Sequence, residues 1–375
     1  MPYPIENDTD ARDRHAAFHN VVFDVKQHFD AEGDGTTDDS TAIQAALDEL
    51  PSTGGGAIYF PKGVYLCSSA LTVGNKERIS LIGNGMNESQ LRLQVSSGTG
   101  ITFGDGTNQP QYFSIRSMGI RSGLSSGGPT TAGIRFNKVQ VLHIIDCDIA
   151  DFGVCMRIDT SAHVVLIGNT IHFNPGRAQP IGVQFSNAVS DVTIVGNTFE
   201  GTDGDTTNGP IFMDLIGAAS HSEWSVVGNV VRGDFAQFLR SGTNTPVDRM
   251  VVVGNTGRDC NTKFVNLRGG AGATATDVLF ASNSIIGEGS ASAGFEIAAT
   301  DTRCRAYGNI ISGFTNPYVG IVEGVDTPVV ATANLPAAAT AMNGQILIED
   351  GGAGDRNLII YAGGERFRID GGANV

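Results

Sequence analysis

The chain has 375 residues, 50 of them glycine, and 24 Lys+Arg against 39 Asp+Glu give a formal net charge of −15. Glycine without a three-residue period excludes collagen, and 41% hydrophobic residues exclude a disordered chain. The acidic balance argues against nucleic acid as a partner, and no apolar run reaches the roughly 18 residues needed to cross a bilayer, so membrane insertion is not expected either.

In chain order, residues 1–22 begin MPYPIENDTDARDRH, which lacks both the basic and the apolar region of a secretory signal. They read as a short arm, with no Sec-type signal peptide expected. Residues 23–78 read as a helix followed by the first strands. DDSTAIQAALDEL starts with Asp/Ser/Thr, spaces Ile43, Ala46, Leu47 and Leu50 at three and four residues, and meets Pro51, which predicts one amphipathic helix. Upstream, Asp30, Glu32, Asp34 and Gly35 match the first half of a calcium loop, but Thr41 stands where its bidentate Glu belongs. Asp34, Asp38 and Asp39 are therefore expected to serve turns and the helix cap, with no metal and no cofactor.

Residues 79–324 repeat one phrase: ISLIGN, VLIGNTI, VTIVGNTF, WSVVGNVV, MVVVGNTG, VLFASNSI and CRAYGNII. Its asparagines are Asn84, Asn169, Asn197, Asn229, Asn255, Asn283 and Asn309, and two weaker copies put Met118 and Cys147 in the same slot. Between them fall second alternating runs, among them GIRF, GVCM, GVQF, IFMD, AQFL, KFVN and GFEI. Repeats of this length built only of strands predict a solenoid, because a propeller blade needs about 40 residues. In a parallel β-helix of about nine coils, like residues stack at about 4.8 Å. The asparagines form an amide ladder at a corner, and Ile120, Ile149, Ile171, Phe199, Val231, Ile285 and Ile311 form an inward stack. Cys67, Cys147, Cys155, Cys260 and Cys304 are odd in number and far apart, as expected of buried free thiols rather than a disulfide framework. Residues 325–375 contain LPAAATAMNGQILIEDGGAGDRNLIIYAGGERFRID, which predicts two or three short strands with Gly-rich turns.

The run FDVKQHFDAEGDGTTDDSTAIQAAL, followed by GGGAIYFPKGVYLCSSALTV and LIGNG, resembles the opening of the pectate-lyase-like right-handed β-helix superfamily of polysaccharide-degrading enzymes and bacteriophage tailspikes. The resemblance implies an all-β, right-handed, single-stranded parallel β-helix with an N-terminal α-helical cap. The C-terminal segment is similar to the small terminal segments of phage tail-fibre and tailspike proteins, which implies a homotrimer held partly by that segment. A virion protein of this kind would meet phage tail or baseplate proteins at one end and a bacterial surface polysaccharide at the other.

Signatures of the polygalacturonase branch (NTD, a neighbouring DD, GHG, RIK) are absent from the coil region, which leaves pectin without support. Three residues past the ladder, the pleat predicts an outward column of Arg121, Ala150, His172, Glu200, Arg232, Arg258, Ile286 and Ser312. Its arginines, imidazole and carboxylate fit sugar hydroxyls or an acidic sugar, and equally a solvated sheet face. Glu200 with Asp234 or Asp203 is the candidate acid–base pair for glycoside hydrolysis, which uses two carboxyls about 5 to 9.5 Å apart. The same acids also suit plain solvated turns. His172 with Arg177 is the alternative set for elimination, and Trp224 is either a sugar platform or core packing. The expectation is a tailspike-like receptor-binding protein that recognises, and in one version depolymerises, a surface polysaccharide. A stand-alone polysaccharide lyase or hydrolase and a non-enzymatic virion adaptor are the alternatives.

Overall fold

The computed structural model describes residues 21–319 apart from 111, 125–131, 175–178, 202–208, 269–273, 298–302, together with strands at 329–331, 346–350, 356–362 and 365–369. Most of the expected arm, with Arg177 and Asp203, lies outside the described residues.

The repeats stack as parallel strands. Runs ending at the ladder form a first sheet of eleven strands, beginning with Val21–Asp24 and Gly56–Phe60 and ending with Ala275–Ala281 and Arg305–Tyr307. The remaining coil strands form one eighteen-stranded sheet bent into two faces. In the middle coils the second face is built from three-residue strands such as Thr198–Glu200 and the third from longer ones such as Ile211–Ile216. In the last coils one strand, such as Thr256–Asn266, runs across both. The result is a parallel β-solenoid of about nine turns, the architecture that the repeats predict.

The inward stack holds. Ile120 pairs with Ile149, Ile149 with Ile171, Ile171 with Phe199 and Phe199 with Val231, and all are buried. Gly257 fills the slot between Val231 and Ile285. A Cβ there would lie 2.3 Å from Phe264 Cε2, so the Phe264 ring supplies the bulk that this coil omits.

The corner ladder is an unbroken chain of amides from Asn169 to Asn309. Each Nδ2 donates to the next Oδ1, at 2.9 Å from Asn169 to Asn197 and 3.0 Å from Asn197 to Asn229. Each Nδ2 also reaches a carbonyl of the coil before, as from Asn229 to Ile194 O at 2.9 Å, so a buried side chain is satisfied on every side. Cys147 continues the pattern with weaker chemistry: its Sγ points at Ile115 O at 3.5 Å, and its backbone N–H donates to Asn169 Oδ1 at 2.9 Å. Met118 is buried in the same slot. Asn84 departs from the expectation. It is exposed, and its N–H donates to Ser89 Oγ at 2.8 Å, so a serine from the following strand plugs the corner in its place.

Helix α1 (Val25–Phe29) and helix α2 (Ser40–Glu49) precede the first full coils, and α2 buries Ile43, Ala46 and Leu47 in the core. Asp34 serves a turn, accepting from Thr36 N and Thr37 N at 2.7 Å each. The cap is shared differently from expectation. Asp38 accepts from Ser40 N at 3.0 Å, whereas Asp39 turns back to Glu32 N at 2.7 Å and Gly33 N at 3.1 Å and bonds nothing in the helix with its side chain. All five cysteines are free and buried. Near the C-terminus, Ile346–Asp350, Arg356–Ala362 and Glu365–Ile369 pair antiparallel, and Val329–Ala331 adds to the first of them in parallel.

Truncating a middle rung strands donors and acceptors that have no access to water, at about 1–3 kcal/mol for each buried group left unpaired. Asn229→Ala is expected to lower unfolding stability by about 3 kcal/mol or more in a denaturant titration, and Asn84→Ala by less than about 0.5 kcal/mol.

Candidate functional site

The predicted outward column exists on the second face: Arg121 pairs with Ala150, Ala150 with His172, His172 with Glu200 and Glu200 with Arg232. Asp148, two residues before Ala150, faces the same way from the adjoining column and is almost wholly buried. Its carboxylate accepts from Arg121 Nε at 3.0 Å and lies 2.9 Å from His172 Nε2. Burial alone would raise the Asp148 carboxyl, but the His172 and Arg121 hydrogen bonds outweigh it and hold the group below the usual range. The same Asp148 hydrogen bond raises His172 above an ordinary imidazole, against the opposing effect of burial. Glu200 accepts from Arg232 Nε at 2.7 Å. Arg258 is the most open member, with its nearest carboxylate oxygen, on Asp259, 3.9 Å away. The column is therefore largely self-neutralising.

The expected acid–base partners are engaged elsewhere. Glu200 is tied to Arg232, while Asp234 hydrogen-bonds Glu288. Partial burial, the charges of Asp234 and Asp259 and that hydrogen bond push the Glu288 carboxyl upward. Trp224 is 2% exposed, packs edge-on against Phe185 and donates Nε1–H to Val189 O at 3.3 Å, so no ring face is open to a sugar.

The third face carries a column that the sequence reading did not align. Arg135, Arg157, Gln184, Asp214, Arg240, Asn266 and Glu296 pair in succession, each inside or just after a second alternating run such as GIRF, GVCM, GVQF or AQFL. Aligning those runs as the ladder runs were aligned would have found it. Three nearly buried carboxylates organise the column. Asp159 accepts from Arg135 Nε at 2.7 Å and Arg157 Nε at 2.9 Å. Asp214 accepts from Arg240 Nε at 2.9 Å and Gln184 Nε2 at 3.3 Å. Glu296 holds Lys263, and accepts from Arg268 Nη1 at 3.2 Å. These clusters join five cations to three carboxylates, so a surplus of positive charge remains on one face of an acidic chain.

At the Glu296 end the face opens into a groove of about 650 Å³, lined among others by Gln237, Arg240, Ser241, Lys263, Asn266 and Arg268. Gln237 Oε1 and Ser241 Oγ are buried there and bond nothing among the described residues. Buried polar atoms without partners are costly. Among the described residues no group of three or more His, Cys, Asp or Glu is placed to hold a metal ion.

The parallel β-solenoid thus carries a polar, cationic groove on one face. The chain belongs to the rhamnogalacturonase A/epimerase, pectate lyase-like family, whose model matches residues 22–284. Mannuronan C5-epimerase AlgE3 of Azotobacter vinelandii is 40% identical over 92 residues, which are 22% of this chain and 5% of that protein. The chain thus spans a small part of that relative. ORF18 of Geobacillus virus E2 has 18% identity and a TM-score of 0.54, covering 99% of this chain and 75% of that one. A tailspike mutant of E. coli bacteriophage HK620, in complex with a pentasaccharide, has 13% identity and a TM-score of 0.55, covering 88% and 68%. At these identities the two structures establish a shared fold.

The Asp148 contact fixes a titration prediction. The His172 ring is expected to titrate above the ordinary imidazole range by NMR, and Asp148→Asn to drop its midpoint to that range or below. The pair's sign follows from the two shifts: the His172 contribution to stability is present below its unfolded pKa and lost as pH rises through the raised folded value. The Asp148 contribution is lost as pH falls through its lowered one.

Proposed function

We propose that this protein recognises an acidic polysaccharide of a bacterial surface along its third face, as a receptor-binding protein of the phage-tailspike kind. The observation that carries this reading is the groove beside Glu296, where Arg240, Lys263 and Arg268 meet two buried, unpartnered side-chain oxygens. Guanidinium groups pair with sugar carboxylates in charge-assisted bonds, and the Gln237 and Ser241 oxygens take hydroxyls, so a polyhydroxylated anion meets both demands. Successive coils repeat the face at about 4.8 Å, which suits a ligand that is itself a repeating chain. The groove cations are already held by Glu296 and Asp214, so their orientation is fixed before a ligand arrives. The fold-level kinship with a tailspike complexed with a pentasaccharide supports the role, and the part-length match to a mannuronan epimerase supports an acidic glycan.

Recognition rather than hydrolysis is the better supported activity. Glu296 in the groove and Asp214 behind Arg240 are ion-paired acceptors, whereas a glycosidase acid must enter the reaction protonated. The carboxyl that is pushed upward, Glu288, sits against Asp234 and away from the groove lining.

Calorimetry with polymannuronate, polygalacturonate, host capsule and neutral dextran tests the reading. An acidic polymer is expected to bind, dextran not to, and Arg240→Ala or Arg268→Ala to weaken binding about 10- to 100-fold, the effect of losing one charge-assisted hydrogen bond. Glu200→Gln is expected to change it less than twofold. Failure of every acidic polymer to bind, or full binding by both arginine variants, overturns the assignment. Release of reducing ends by the wild type would add hydrolysis, and ultraviolet-absorbing unsaturated ends would add elimination.

A further inference from the structure

We propose that the third face selects a glycan in which an acidic sugar recurs about once in three, an inference that rests on the acidic-polysaccharide assignment above. The outward column of this face has a period. Arg157, Gln184 and Asp214 are followed by Arg240, Asn266 and Glu296, one residue per coil, so the order guanidinium, amide, carboxylate occurs twice. Arg157 and Arg240 therefore stand three coils apart, about 14 Å at one strand separation per coil.

Exposure decides what a ligand touches. The Arg157 and Arg240 side chains are 38% and 33% exposed, whereas those of Asp214 and Glu296 are 2% and 8% exposed. A bound chain meets a guanidinium group, then a half-buried amide, then a place with a carboxylate sunk beneath it. Positive charge is in surplus around the same two arginines: Arg135 and Arg157 share Asp159, while Arg240, Lys263 and Arg268 face Asp214 and Glu296. Each set has one more cation than carboxylates. An extended glycan advances by close to one strand separation per sugar, so with one anion over Arg157 the next favourable place is three sugars on, over Arg240. A chain acidic at every sugar would also set carboxylates over Asp214 and Glu296, where like charges face each other. The intervening sugars meet Gln184 and Asn266, whose amides both donate to and accept from hydroxyls. The two ends differ in grip. Gln237 and Ser241 line the groove at the Arg240 end, and three coils earlier the same columns hold Val154 and Ile158. The Arg240 end thus anchors a sugar ring, and the Arg157 end reads charge.

Calorimetry on the full chain tests the spacing with two synthetic hexasaccharides of equal charge, one with its two uronates three sugars apart and one with them adjacent, beside a trisaccharide carrying a single uronate. Reaching both arginines makes the second contact intramolecular, so the widely spaced isomer is expected to bind at least tenfold more tightly than the adjacent one. Arg157→Ala is expected to abolish that advantage and bring the spaced isomer down to the affinity of the trisaccharide. Asp159 keeps Arg135 in this variant, and thermal melting checks that it folds. Equal binding of the two isomers, or a preference that survives Arg157→Ala, overturns the three-sugar period, and loss of both isomers in Arg240→Ala then leaves the groove assignment standing. Failure of both hexasaccharides to bind overturns the period as well, and the acidic-polysaccharide assignment falls with it only if polymannuronate, polygalacturonate and host capsule also fail.

Discussion

Everything in this protein follows from strands stacked in parallel at a constant separation and register. Once Ile149 lies over Ile171 and Ile171 over Phe199, every neighbouring position is committed as well, because a slip of one residue would turn the apolar stack to water. The Gly-Asn corners enforce that register from the side. An asparagine displaced by one position loses its carbonyl partner in one coil and its amide partner in the next. The glycine excess is the steric counterpart, since Gly168, Gly196, Gly228, Gly254 and Gly308 each precede a ladder asparagine with positive φ. A side chain in any of these places would strain the turn that delivers the amide inward.

Constant register turns single residues into columns, and the two outward faces use their columns differently. On the second face Asp148 and Glu200 absorb the cations beside them, which leaves the upper part electrically quiet. On the third face five cations share three nearly buried carboxylates: Asp159 and Glu296 each hold two, and Asp214 holds Arg240 together with Gln184. Burying a carboxylate is expensive, and two partners repay it better than one. The positive charge that remains is then held rigidly, on a sheet that has no freedom to collapse onto it.

The sequence disclosed these features unequally. The ladder, the inward stack and the outward column of the second face could be read because one phrase repeats with a Gly-Asn mark that fixes its phase. Ser89 in the place expected for Asn84 could not, because it enters from the strand beyond the turn and obeys no spacing. The third-face column was hidden by its own chemistry. It alternates Arg, Gln, Asp, Asn and Glu, residues with no common label, inside short runs of differing length. Charge pairing across coils was hidden too: Glu200 and Asp234 are close in the repeat, yet their actual partners, Arg232 and Glu288, are a matter of side-chain reach. Trp224 followed its apolar neighbours into the core, as its place between Val192 and Met250 in the register requires.

The asparagine chain has one further property. Every side-chain amide in it points the same way, with its oxygen toward Cys147 and its nitrogen toward Asn309, so the dipoles add instead of cancelling. Sheets ordinarily lack a net electrical axis because their peptide dipoles alternate. This solenoid acquires one, as an α-helix does, from a single row of side chains. Such a row is modular: removing or duplicating a whole coil between Asn169 and Asn309 leaves donor facing acceptor at the new junction. The length of the molecule can therefore change by whole turns in evolution, while a partial turn would break the row.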